Sequence, residues 1–260
     1  MSAYSLIINL FSVASWMKLV QGQDMKPFII SVVAIMLIAS AASLPFVLNA
    51  GFGQAPQGVE KSQIERSPNY RDGAFQNALP TPGFTGDKNM VMAWWEFLTA
   101  KRENARPTQP LPMVPTALAS LPLGQDTMIW LGHSSWYLQL SGKRILIDPV
   151  FSSYAAPFSF LNKAFAGNYP WRTENMPEID LLIISHDHYD HLDYATIKGL
   201  MPKIKRAVVP LGVGSHLRYW GMKDELITEA DWQQSVTISD ALSVHVLPAR
   251  HFSGRGLKRN

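Results

Sequence analysis

The stretch Ile183-Ile184-Ser185-His186-Asp187-His188-Tyr189-Asp190-His191-Leu192-Asp193 decides how this chain of 260 residues is read. Leu181 to Ile184 is a short apolar run, the pattern of a buried strand. It stops at Ser185, and three histidines and two aspartates follow within six positions. Side chains two apart on an extended segment point the same way, so His186 and His188 can converge on one ion. Asp190 and His191 lie past the bend, ahead of a helix capped by Asp193, placed to reach a second ion beside the first. Imidazole nitrogen and carboxylate oxygen are the usual ligands of hydrolytic zinc, which keeps an open position for water. The bland alternative is a solvated polar loop, which rarely concentrates His-x-His-x-Asp-His at the end of a buried strand. The stretch reads as a metal site.

His186-x-His188-x-Asp190-His191 resembles the signature of the metallo-β-lactamase fold, a superfamily of mostly dinuclear metal hydrolases. Four segments are similar to one branch of it: Trp130-Leu131-Gly132-His133-Ser134-Ser135, Ile147-Asp148-Pro149-Val150-Phe151, His188-Tyr189-Asp190-His191-Leu192-Asp193 and Pro248-Ala249-Arg250-His251-Phe252-Ser253-Gly254-Arg255. That branch holds the N-acyl-phosphatidylethanolamine-hydrolysing phospholipase D enzymes and their bacterial relatives. The resemblance runs from about Ser67 to Asn260.

The resemblance implies an α+β fold, an αββα sandwich of metallo-β-lactamase type. It implies His186, His188 and His251 as ligands of one metal, and Asp190 and His191 as ligands of a second. Zinc is the implied cofactor, although His and Asp donors suit iron or manganese equally. The implied reaction is attack of a metal-bound hydroxide, its water acidified to a pKa of about 7, on a phosphodiester, with Asp190 also orienting the hydroxide. Asp148, at a strand end, is a candidate to hold a ligand imidazole by its other nitrogen, with turn-capping as its structural alternative. His133 is a candidate for a similar supporting place. Arg255 is a candidate to meet a substrate phosphate in a bidentate contact, with loop stabilisation as the alternative. Asp187 reads as a hydrogen-bonding partner within the loop, and His216 and His245 as ordinary residues. In the resembled family, a bridging aspartate and a further histidine beyond the His251 position complete the site. The chain reaches Lys258-Arg259-Asn260 before either, so only the first half of the sandwich is expected, holding no more than one metal tightly.

Composition narrows the rest. The net charge of +3 is small and scattered and leaves no nucleic-acid footprint. With no cysteine, disulfides and thiolate ligands are excluded. No charged residue occurs from Pro27 to Ala50, and Phe28 to Leu48 is mostly Ile, Val, Leu, Ala and Phe, enough to span a bilayer. Residues 27–50 therefore read as a single-pass membrane anchor behind an uncertain extension, 1–26, with residues 4–17 apolar but short. A signal peptide starting at Met25, with small residues at Ala39-Ser40-Ala41, is the alternative. Either one exports the downstream residues to the periplasmic or extracellular side. Expected partners are the membrane and a phospholipid or other phosphodiester substrate, with self-association left open. Two other functions are carried alongside: a lactonase-like metal hydrolase, and a catalytically incomplete membrane-attached fragment.

Residues 51–126, rich in proline and glycine, read as an irregular arm interrupted by one helix from Asn89 to about Lys101, whose Trp94, Trp95, Phe97 and Leu98 are read as packing residues. From 127 to 260, strands are expected over Met128–Leu131, Ser135–Leu140, Arg144–Ile147, Ile179–Ser185 and Ala207–Pro210. A hairpin over Val236–Ser239 and Ser243–Leu247 comes next, turning at Asp240-Ala241. Helices are expected over Tyr194–Leu200 and Ser215–Trp220, the latter stopped by Gly221.

Overall fold

The computed structural model describes residues 29–38, 49–81, 89–100, 103, 105–158, 162–166 and 171–255. The chain divides into two compact units, Met1–Asn49 and Ala50–Asn260. In the first, residues 29–38 form a helix, α1. Among the described residues no helix is long and apolar enough to cross a membrane. The rest of the expected anchor up to Leu48, the stretch 4–17, Met25 and Ala39-Ser40-Ala41 lie outside the described residues.

The arm of the second unit has more structure than its composition suggested. It carries α2 (Gly58–Glu65), the small hairpin of β1 (Tyr70–Arg71) and β2 (Ala74–Phe75), and α3 (Met90–Thr99). Asn89 caps α3 by accepting a hydrogen bond from the Met92 amide. Trp95, Phe97 and Leu98 are exposed where packing was expected, and the Trp94 side chain lies outside the described residues. α2 presents one buried apolar side chain, Ile64. Its place is fixed by Glu60, which accepts from Ser215 Oγ at 2.6 Å and from Arg218 Nη1 at 2.9 Å.

The unit is organised by a mixed six-stranded sheet in the order β3-β4-β5-β6-β7-β8: β3 (Thr127–Gly132), β4 (Ser135–Leu140), β5 (Lys143–Ile147), β6 (Leu181–Ile183), β7 (Ala207–Pro210) and β8 (Ile227–Ala230). β3, β4 and β5 form an antiparallel meander. Its second turn has Ser141 and Gly142 both at positive φ, the two-residue geometry that matches strand twist. β5 to β8 are parallel. Strand side chains alternate between faces, and here both faces are apolar. Leu146, Leu182, Ala207 and Val209 pack into one cluster with Ile197 and Leu200 of α4 (Tyr194–Leu200) and Leu217 of α5 (Gly214–Tyr219). Ile145, Leu181 and Val208 pack on the other face with Val236 and partly buried Val244 of the hairpin formed by β9 (Ser235–Ser239) and β10 (Leu242–His245). Each fully buried leucine in these layers contributes about 1.5–3 kcal/mol.

One expected strand differs, and one observed strand was not expected. The metal-bearing strand is shorter than Ile179–Ser185: Ile179 makes only an isolated bridge to Ile204, and Ser185 has left the ladder. β8 has no counterpart in the sequence reading, because Thr228 and Glu229 break its apolar pattern. Gly221, at φ +99, ends the helix that includes α5, its amide donating to the Arg218 carbonyl at 2.9 Å.

Candidate metal centre

Sheet topology gathers the site. Parallel pairing of β5 with β6, Ile147 beside Ile183, sets their carboxyl ends side by side. β4 runs antiparallel to β5, with Trp136 beside Ile147, so the β3–β4 turn opens on the same edge. Residues 132–134, 148–151 and 185–193 thus emerge together, at the sheet edge where open α/β folds place ligands. The segment after β10 adds His251.

His186, His188 and His251 offer ligand atoms that all lie within 4.8 Å of one another. His188 Nδ1 and His251 Nε2 are 3.1 Å apart. Two nitrogens on one tetrahedral ion, each about 2.0–2.1 Å from it, sit about 3.3 Å apart. His186 Nδ1 bonds Ser185 Oγ at 2.9 Å. Its Nε2 is buried without a hydrogen-bond partner among the described residues. Buried polar atoms are normally paired, so this nitrogen fits a ligand awaiting a metal. Burial first, then the neighbouring His191, His188 and His251, push the His186 pKa down to about 4. Burial also lowers that of His188. Both are neutral, and so able to ligate, at pH 7.

His133, Asp190 and His191 form a second such group. His133 Nε2 is 2.8 Å and His191 Nε2 3.8 Å from Asp190 Oδ2. Burial pushes the Asp190 carboxyl up, but the His133 hydrogen bond, a backbone hydrogen bond and the nearby imidazoles outweigh it and hold the carboxyl below its usual range. The two groups touch: the His186 and His191 rings have centroids 3.9 Å apart.

Asp148 joins them from behind. It is buried, and φ +43 turns its carboxylate towards the metal loop. Oδ1 accepts from the Ser185 amide at 2.7 Å. Oδ2 accepts from Ser185 Oγ at 2.5 Å and from His191 Nδ1 at 2.8 Å. These bonds assign the tautomers. With its hydroxyl proton on Asp148, Ser185 Oγ accepts from Nδ1–H of His186, and both His186 and His191 keep an unprotonated Nε2 facing the centre. Sequence reasoning missed Ser185. Its only signal was a hydroxyl between the strand and the first histidine.

A further layer fixes the loop. Asp187 accepts from Ser253 Oγ at 2.7 Å and the Gly254 amide at 3.1 Å, tying the His251 segment to the metal loop. Arg255 Nη1 donates to the carbonyls of Asp187 and Leu192, and Nη2 to that of Gly51. The guanidinium lies over the Tyr189 ring at 4.2 Å. These bonds to backbone carbonyls are what the loop-stabilising alternative for Arg255 expects. His216 is buried behind the loop, with Nδ1 accepting from the Gln54 amide at 3.0 Å and Nε2 3.9 Å from Asp187. Gly53, at φ +71, lets that approach occur, since a Cβ there would sit 2.1 Å from His216 Nδ1. Asp193 caps α4 by accepting from the Thr196 amide at 3.3 Å and also holds the Ser152 amide at 3.2 Å.

Residues 143–260 match a family model described as the beta-lactamase superfamily domain. Over 238 residues the chain is 40% identical to an uncharacterized protein of Mycobacterium tuberculosis, covering 87% of this chain and 63% of that protein. It is 34% identical over 137 residues to an N-acyl-phosphatidylethanolamine-hydrolyzing phospholipase D of Caenorhabditis elegans, covering 49% of this chain and 38% of the enzyme. A metal-dependent hydrolase of Pyrobaculum neutrophilum is 29% identical over 132 residues, covering 49% of this chain and 51% of its own. The chain thus spans less than two thirds of the length of the mycobacterial relative.

Proposed function

We propose that this chain, whose residues 143–260 match a model described as the beta-lactamase superfamily domain, is a metal-dependent hydrolase acting on the phosphodiester of an N-acylated phospholipid. The observation that carries the reading is the convergence of two three-residue His/Asp groups on one sheet edge, each able to hold an ion. Likeness to the Caenorhabditis elegans phospholipase D supports the substrate class. The first half of an αββα sandwich belongs to the same proposal, supported by a six-stranded sheet with helices on one face and the β9–β10 hairpin on the other.

His186, His188 and His251 would hold one ion, and the donor set suits zinc. A bound divalent ion supplies Lewis-acid polarisation of a phosphoryl oxygen and acidifies water. The protein does the rest. Asp148 and Ser185 hold His186 and His191 in the ligating tautomer. Asp187 and Arg255 keep the His251 segment against the loop. Asp190, held anionic, accepts hydrogen bonds on the edge that faces solvent.

The test uses the full 260-residue chain. Vesicles containing N-acyl-phosphatidylethanolamine and, separately, a simple acyl lactone are assayed with and without chelator, beside His188→Ala. Metal-dependent release of phosphatidic acid and N-acylethanolamine, lost in His188→Ala, is expected. Lactone opening without phospholipid cleavage would replace this reading with the lactonase one. A chain inert on both substrates with metal supplied would leave the catalytically incomplete fragment.

A further inference from the structure

We propose that His133 is itself a metal ligand, the third protein donor to a second ion held with Asp190 and His191. The proposal rests on the metal-hydrolase reading above and extends it to the ligand set of the neighbouring ion. Asp190 and His191 offer two donors, and the fold brings a third from 57 residues before Asp190.

Three observations support this. The candidate ligand atoms of His133, Asp190 and His191 lie within 4.8 Å of one another, and His133 Nε2 is 2.8 Å from Asp190 Oδ2. The other nitrogen of His191 is committed to Asp148, so Nε2 is what it offers. Lastly, the backbone is bent to aim His133. It sits at φ +46 after Gly132 at φ +106, where the β3–β4 register shifts between Trp130 and Gly132. The left-handed region is sparsely used by residues with a Cβ, although histidine is among those enriched there. The Trp130 indole N–H locks the turn by donating to the His133 carbonyl at 2.8 Å. Two imidazoles and one carboxylate suit zinc, iron or manganese and leave positions open for water or substrate.

The competing role is a hydrogen bond from His133 to Asp190 with no bond to the ion. Glutamine separates the two, because its amide can donate to Asp190 but lacks the imidazole nitrogen. The full chain, His133→Ala, His133→Gln and His188→Ala are each equilibrated with zinc, dialysed, and analysed for metal per chain. Cobalt absorption spectra provide a second readout, and melting curves of the metal-free forms check folding. Two zinc ions per wild-type chain are expected, against the single tightly held metal expected from the sequence, and one in both His133 variants, with affinity for the second ion at least about tenfold weaker. A His133→Gln variant that holds two ions overturns the proposal in favour of the hydrogen bond. Two ions in His133→Ala, or one in wild type, overturn it outright. His188→Ala, expected to lose only the other ion, reports on the first cluster separately, so failure there is distinguished from failure here.

Discussion

Asp148→Asn keeps the shape of the side chain and changes where protons sit. The carboxylate accepts three hydrogen bonds: from the Ser185 amide at 2.7 Å, Ser185 Oγ at 2.5 Å and His191 Nδ1 at 2.8 Å. Asparagine can still meet the Ser185 amide with its oxygen. Its NH2 group then faces two groups that were themselves donating. Relief requires Ser185 Oγ to accept from the amide and pass its own proton towards His186 Nδ1, 2.9 Å away. His186 and His191 must both move their protons to Nε2, the atoms aimed at the candidate ions. Ligation would force each ring back, leaving donor against donor in a buried site. That costs about 1–3 kcal/mol per ring, or roughly 5 to 150-fold in metal affinity. Loss of the charged acceptor should also destabilise the metal-free protein by about 3 kcal/mol, lowering Tm by about 6–12 °C for a unit of this size. Calorimetric zinc titration measures the affinity, imidazole 15N shifts the tautomers, and melting curves of the metal-free protein the stability. Zinc affinities within twofold of wild type, with His186 and His191 still protonated at Nδ1, would refute the account.

The layer behind the site gives two further expected outcomes. His186 and His216 both have folded pKa values pushed down to about 4, chiefly by burial, from an ordinary value near 6.5. The unfolded chain therefore binds the extra protons, so this contribution to stability is complete above about pH 6.5 and is lost as pH falls towards 4. Urea midpoints of the metal-free protein should drop between pH 7.5 and 4.5, and a flat profile would contradict the burial argument. Arg255→Lys removes a planar fork that spans the carbonyls of Asp187, Leu192 and Gly51. A loss of about 3 kcal/mol is expected in denaturant unfolding, and unchanged stability would show that those bonds carry little.

What the sequence made legible was local. The apolar run into Ser185, the Asp193 cap and the Gly221 stop are each decided within a few residues of chain, and each occurs in the structure. The missed elements are decided at long range. β8 alternates poorly because Glu229 serves α5 instead of a solvent face, accepting from the amides of Gly212 and Gly214. α2 has little amphipathic signal, and its position depends on an ion pair with Arg218, 158 residues away. Trp95 and Leu98 show the converse: both are apolar and expected to pack, yet both are exposed among the described residues.

The site divides along the same line. Its donors were legible because His-x-His-x-Asp-His is a spacing, and spacing is local. Their support was not, because it is made by pairing β5 parallel to β6. That register places Asp148 beside Ser185, 37 positions apart, and brings the β3–β4 turn with His133 to the same edge. Had β5 and β6 been antiparallel, residues 148 and 185 would have left the sheet at opposite ends, and Nδ1 of His186 and His191 would lack a common anchor. The parallel register is therefore what converts a histidine-rich loop into two adjoining clusters with assigned tautomers, and Ser185 is where they meet: one hydroxyl, giving its proton to Asp148 and receiving one from His186, sets the donor state of the first cluster through the same carboxylate oxygen that sets His191 in the second.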